Sequence, residues 1–227
     1  MKLLIALLLA VSACHGRPAA PILTYHSIGG SDTRDFTVSE AAFSEQLDWL
    51  ASAGFHTISL NDLVSERNTD RAVVLTFDDG TEDAITRVLP ALRKRGMRGA
   101  FFVCTGLVGT PGYLTWDEVR ALAAAGMEVG SHSVHHARLA DLDDGNLRRE
   151  LVDSKRTLEA ELGTPVDLIA YPFNSVRRRV RHAAAEAGYR IGVSGVAHGG
   201  GDAIDLRRVT VRRGMSLDQF QRAVQLR

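Results

Sequence analysis

An α/β fold with a parallel sheet, closed or nearly closed into one barrel, is what this 227-residue sequence predicts. Three observations point to it. Short apolar or β-branched runs alternate with amphipathic stretches of helical length from residue 21 onward. The helical stretches carry start and stop signals. No long linker, sequence repeat or low-complexity segment interrupts the rhythm. Strands are expected at 21–26, 55–59, 72–77, 99–103, 127–131, 167–171, 189–194 and 206–211. Helices are expected at 39–53, 83–95, 115–125, 143–162, 176–187 and 216–226. Ser39 precedes Glu40-Ala41-Ala42-Phe43 as a cap, and Thr115 stands three before Glu118, the spacing of a capping box. Gly54, Gly96, Gly126, Gly163 and Gly188 stand where helices should stop. Seven or eight strand–helix units in one domain suit a barrel, with a doubly wound open sheet as the alternative. The first strand leads into no Gly-rich phosphate loop, which argues against a dinucleotide site.

Composition narrows the function. Hydrophobic residues make up 45%, enough for a full core. The 27 basic side chains balance 27 acidic ones, so no basic excess points to nucleic acid. Two cysteines, Cys14 and Cys104, supply neither a disulfide framework nor a Cys-based zinc site. Cys104 follows Ala100-Phe101-Phe102-Val103 and reads as a packed core thiol.

The first residues, MKLLIALLLAVSA, pair one Lys with an apolar stretch too short to span a bilayer, the layout of a secretory signal. Val11-Ser12-Ala13-Cys14 resembles a bacterial lipobox, with cleavage before Cys14 and lipidation of its thiol. The expected organisation is a signal peptide at 1–13, a short tether at 14–20 and one domain at 21–227. The expected location is the cell envelope, with the chain held as a monomer on the periplasmic face of the outer membrane.

Polar groups with chemical potential end four of the strands. They are His26, the pair Asp78-Asp79, His132, and the segment Tyr171-Pro172-Phe173. In a parallel barrel these ends share one mouth, where active sites are built. His132 and His136 are four apart, which lets two imidazoles face one side of a helical turn. A carboxylate from another strand end would complete a three-ligand site with positions left open, the pattern of a catalytic metal. Two His and one carboxylate suit Zn²⁺ first, with Co²⁺, Ni²⁺ or Fe²⁺ also compatible. His135 points elsewhere on such a turn and reads as a rim residue or as one that supports the ligands from behind. His198 reads as a loop residue, Trp116 as buried more than ligand-facing, and Tyr113 and Phe36 as aromatics that could stack on a ligand's faces.

Thr76-Phe77-Asp78-Asp79-Gly80 together with His132-Ser133-Val134-His135-His136 resembles the first two motifs of the polysaccharide deacetylases, carbohydrate esterase family 4, with its NodB-like domain. Leu23-Thr24-Tyr25-His26-Ser27-Ile28, Leu114-Thr115-Trp116-Asp117-Glu118 and Ala170-Tyr171-Pro172-Phe173 resemble the biofilm poly-β-1,6-N-acetylglucosamine deacetylase branch. The resemblance implies a distorted (β/α)7–8 barrel, circularly permuted. It implies a divalent metal on Asp79, His132 and His136, with Asp78 as the base that takes a proton from the attacking water. It implies an oxyanion donor in the backbone N–H of Phe173, a substrate rim at Tyr171 and Pro172, and hydrolysis of N-acetyl groups on an N-acetylglucosamine polysaccharide.

The sequence departs from the family in places. No Leu-x-His motif closes the chain, so the permuted reading assigns the amine-protonating role to His26. Ala137 replaces a usual Pro and Asn174 a usual Gly. The Arg that in many members precedes Tyr-Pro and orients the base is absent, with Ile169-Ala170 in that stretch. That absence supports a competing reading, a catalytically weak, envelope-anchored polysaccharide-binding protein.

Overall fold

The computed structural model describes residues 20–30, 34–195 and 202–225. The lipobox with Cys14, and His198, lie outside the described residues. In chain order the strands are β1 Ile22–Tyr25, β2 Ser27–Ile28, β3 Thr37–Val38, β4 His56–Thr57, β5 Ala72–Phe77, β6 Ala100–Val103, β7 Glu128–Ser131, β8 Leu168–Ala170, β9 Ile191–Gly195 and β10 Leu206–Thr210. The helices are α1 Glu40–Ser52, α2 Leu60–Val64, α3 Leu89–Lys94, α4 Trp116–Ala124, α5 Asp144–Leu162, α6 Arg178–Glu186 and α7 Leu217–Gln225.

The main sheet runs β1-β10-β9-β8-β7-β6-β5 and closes through a β1–β5 pairing, every pair parallel. The ring therefore has seven strands, and the barrel reading holds over the open sheet. The expected strand at 55–59 forms only as β4, which pairs with the opening residues Ala72 and Val73 of β5 and stays outside the ring. β5 is buried along its whole length, as a ring strand packed on both faces must be.

Local chemistry fixes the helix starts. Ser39 accepts from the Ala42 N–H, Asp143 from the Asn146 N–H, and Thr115 with Glu118 forms the expected capping box. Gly163 ends α5 in the left-handed conformation. One expected helix is not uniform: 83–95 opens with a widened π turn at Ala84–Val88 before α3. Among the described residues no helix is long and apolar enough to cross a membrane.

Candidate active site

Asp78 and Asp79 follow β5, and Asp79 takes φ 72°. A left-handed non-glycine residue is costly and persists only where its surroundings hold it. Five of the eight such residues among those described are at this mouth: Asp79, Ser133, His136, Phe173 and Asn174. That clustering is the strain signature of a functional site.

Asp79, His132 and His136 each offer one ligand atom, all within 4.8 Å of one another. The Nε2 atoms of both histidines lie 3.4 Å from Asp79 Oδ1. His132 Nδ1 donates to the Ala170 carbonyl at 2.8 Å, which leaves its Nε2 lone pair facing Asp79. Asp79 Oδ1 is buried and has no hydrogen-bond donor. A buried anionic oxygen without a donor, facing two imidazole lone pairs, fits a divalent cation. The segment between the histidines is not the helical turn that their spacing suggested. It is a loop with Ser133 at φ 66° and His136 at φ 56°, and two left-handed residues preclude a continuous helix.

Asp78 is 4% exposed. It accepts from Arg208 twice, Nη1 to Oδ1 and Nη2 to Oδ2, both at 2.7 Å. Arg208 Nη1 also reaches Thr76 Oγ1 at 3.0 Å, and Arg208 is itself 3% exposed on β10. The arginine missing before Tyr171 is thus matched by a guanidinium from the last strand of the ring. Burial pushes the Asp78 carboxyl up, but Arg208, His132 and His26 outweigh it and hold it below the usual carboxylate range.

His26 Nε2 lies 4.0 Å from Asp78 Oδ2, too far for a hydrogen bond, and its Nδ1 is buried without a partner. Burial lowers the His26 pKa; Asp78 and Asp79 oppose that shift and Arg208 adds to it. His26 also packs on Phe36, with ring centroids 4.8 Å apart, and the Arg212 guanidinium caps Phe36. A matching arrangement stands at the next ligand. His136 packs on Phe173 at 4.5 Å, and the Arg138 guanidinium caps Phe173. Phe36 and Phe173 are 39% and 50% exposed, two of the three exposed large hydrophobic side chains among the described residues. Phe36 packs beside His26, which follows β1, and Phe173 follows β8, three strands away around the ring of seven, so the two flank different sides of the mouth.

The segment Tyr171-Pro172-Phe173 divides. Phe173 is at the rim, but Tyr171 is 1% exposed, donates to the Ile204 carbonyl at 2.7 Å and packs under the mouth. Pro172 is buried too. Both support the rim from below and expose no face for sugar contact. Cys104 is the expected core thiol; burial, then the nearby carboxylates, push its pKa up, and its Sγ donates to the His132 carbonyl. Trp116 is partly buried against the main core.

Sequence reasoning missed Arg208 and Glu150. Arg208 sits in an Arg-Arg pair in a chain whose charges balance, and nothing beside it marks it as buried. Glu150, on α5, is 8% exposed and bonds to the loop between the ligand histidines. Its one signal was a charge on the buried stripe of a helix.

A seven-stranded parallel barrel with a carboxylate–histidine cluster at its carboxyl-end mouth has its polar groups where such barrels build active sites. The family model for polysaccharide deacetylase matches residues 65–192, more than half of the chain, and the chain belongs to that family. YxkH of Bacillus subtilis (strain 168) is 29% identical over 208 residues, covering 88% of this chain and 74% of that one. The poly-beta-1,6-N-acetyl-D-glucosamine N-deacetylase of Staphylococcus aureus (strain MSSA476) is 22% identical over 188 residues, 75% of this chain and 65% of that protein. Among solved structures, the Streptococcus pyogenes deacetylase PplD, in complex with acetate, superposes with a TM-score of 0.82 at 26% identity, covering 90% of this chain and 97% of that one.

Proposed function

We propose that the chain hydrolyses N-acetyl groups on an N-acetylglucosamine-containing polysaccharide, an exopolysaccharide or cell-wall glycan, and that it does so with a divalent metal. One observation carries the reading: a buried carboxylate, oriented by two hydrogen bonds, adjoins a three-ligand cluster at one open mouth. The family and the substrate named for the Staphylococcus aureus relative support the glycan. The exposed Phe36 and Phe173 give a glycan chain two apolar surfaces on which to lie.

Asp79, His132 and His136 are the residues that would hold Zn²⁺, or Co²⁺, Ni²⁺ or Fe²⁺ in its place. A divalent cation there would supply Lewis-acid polarisation of the acetamide carbonyl and acidify a water. Asp78 takes the proton of the attacking water as the general base. The backbone N–H of Phe173, beside His136, donates to the developing oxyanion. His26 hands a proton to the departing amine. Its Nε2 is 4.0 Å from Asp78 Oδ2, beyond direct hydrogen-bond reach, so the proton that Asp78 takes from the attacking water passes to His26 through a bridging water. A pure binding protein has no use for this arrangement, since burying a carboxylate and a guanidinium costs several kcal/mol per ion before pairing.

Chain purified with Zn²⁺ is expected to release acetate from N-acetylglucosamine oligomers. EDTA should stop the release and added Zn²⁺ restore it. Release that persists in EDTA would remove the metal from the mechanism, and none from any acetamido glycan would remove the activity.

We further propose that Cys14 carries a lipid that holds the protein, as a monomer, at the bacterial envelope. Cys14→Ser is expected to shift the chain from the membrane to the soluble fraction or leave the signal uncleaved; unchanged membrane fractionation of a cleaved chain would refute the anchor.

A further inference from the structure

We propose that Glu150 is a positioning residue for the histidine pair: a buried carboxylate on α5 that fixes the loop carrying His136 and so sets the affinity of the site for a divalent cation. The inference rests on the reading of Asp79, His132 and His136 as cation ligands. Glu150 sits on the buried stripe of α5 with Leu147, Leu151, Ser154 and Leu158. A carboxylate avoids such a position unless donors compensate it. Three do. The N–H groups of Val134 and His135 both donate to Oε2 at 2.9 Å, and His135 Nδ1 donates to Oε1 at 2.7 Å. His135, the imidazole between the two ligands in sequence, is thereby turned away from Asp79.

The loop is gripped from two sides. Its carbonyls, at Ser133 and Val134, accept from the Thr105 and Gly106 N–H groups at 3.2 and 2.9 Å. Its amides, at Val134 and His135, are held by Glu150. The loop needs this grip because Ser133 and His136 are both left-handed, a conformation the chain leaves when nothing enforces it. The two ligands differ in their dependence on it. The His132 ring has its own anchor on the Ala170 carbonyl. His136 directly follows the residue whose amide and ring Glu150 holds; apart from facing Asp79 and His132, its ring stacks only on the exposed Phe173 among the described residues, and no backbone carbonyl anchors it as Ala170 anchors His132. Loss of Glu150 therefore frees the His136 arm first.

The test is zinc affinity of the purified full chain, measured by competition with a chromophoric chelator. Thermal melting of the metal-free protein runs beside it. Glu150→Ala and Glu150→Asp, which removes reach but keeps charge, are expected to weaken zinc by about 10–100-fold, the range for partners that orient metal ligands. Glu150→Gln should bind close to wild type, because its carbonyl can accept both amides and its NH₂ can face the other tautomer of His135. Asp153→Ala, exposed on the same helix, should change nothing. If Glu150→Ala does not fold, Glu150→Asp carries the test. Wild-type zinc affinity in the Asp variant, even with a lowered Tm, would show a merely structural role and overturn the proposal. So would a Gln variant as weak as Ala, since charge rather than the hydrogen-bond grip would then be responsible. A wild-type chain that binds no zinc overturns the ligand reading itself and this inference with it, a failure distinct from equal affinities across variants.

Discussion

Asp78→Asn is expected to lower kcat for acetate release by about 10²–10⁴-fold, the contribution of a positioned general base. Zinc affinity should stay near wild type. Asn is nearly isosteric but cannot take the proton of the attacking water. Asp79, His132 and His136 converge without contribution from Asp78, so the ligand set survives the change. The substitution does disturb the Arg208 contact. One side-chain atom that accepted from a guanidinium N–H becomes an NH₂ group, a donor facing a donor. A buried charge left half-paired costs stability, so Tm should fall as well. The assay must therefore run below that Tm, with zinc occupancy measured on the same sample. KM should change little if the lost interaction forms only in the transition state. A variant that folds, holds zinc and keeps more than about a tenth of wild-type kcat would sink the assignment of Asp78 as base, because that loss falls short of the roughly 10²–10⁴-fold a general base typically contributes.

What the sequence disclosed follows from which interactions are local. Asp78-Asp79-Gly80 and the two histidines announce themselves through residue type at a strand end, and the alternation of runs announced the ring that gathers them. The caps at Ser39 and Thr115 are three-residue devices and were equally legible. Arg208 was not, because its partner lies 130 residues earlier and nothing near Arg208 marks it as buried. The loop from His132 to His136 misled for a similar reason. A four-residue spacing favours a helical turn by default, and the left-handed turns at Ser133 and His136 are imposed by Glu150 and by the amides of Thr105 and Gly106. The resemblance implied a rim position for Tyr171. Its hydroxyl instead reaches Ile204, a contact between the end of β8 and the segment before β10 that arises from the strand order β8-β9-β10.

Arg208 carries the second large effect, through both stability and rate. Arg208→Met keeps much of the side-chain volume and removes the fork, leaving Asp78 buried without its compensating charge. Breaking a buried pair from one side costs about 3–5 kcal/mol, which in a domain of this size lowers Tm by roughly 10 °C. Protonation of Asp78 can relieve part of that penalty, but only by disabling the base. Arg208→Lys separates charge from geometry. Lysine supplies a cation but not two parallel donors, and Asp78 is held by two bonds of 2.7 Å at fixed angles. The Lys variant should therefore recover most of the Tm while kcat stays down by about 10²-fold, the effect of a small misplacement of a catalytic group. Zinc binding should be unchanged in both, since Arg208 bonds to Thr76 and Asp78 and not to the three ligands. The opposing physical expectation is explicit. Arg208 depresses the pKa of Asp78, so if basicity limited the reaction, weakening the pair would raise kcat. A Lys variant that is folded and faster than wild type would show that Arg208 restrains the base, whereas one that is folded and slower shows that orientation is what the buried pair provides.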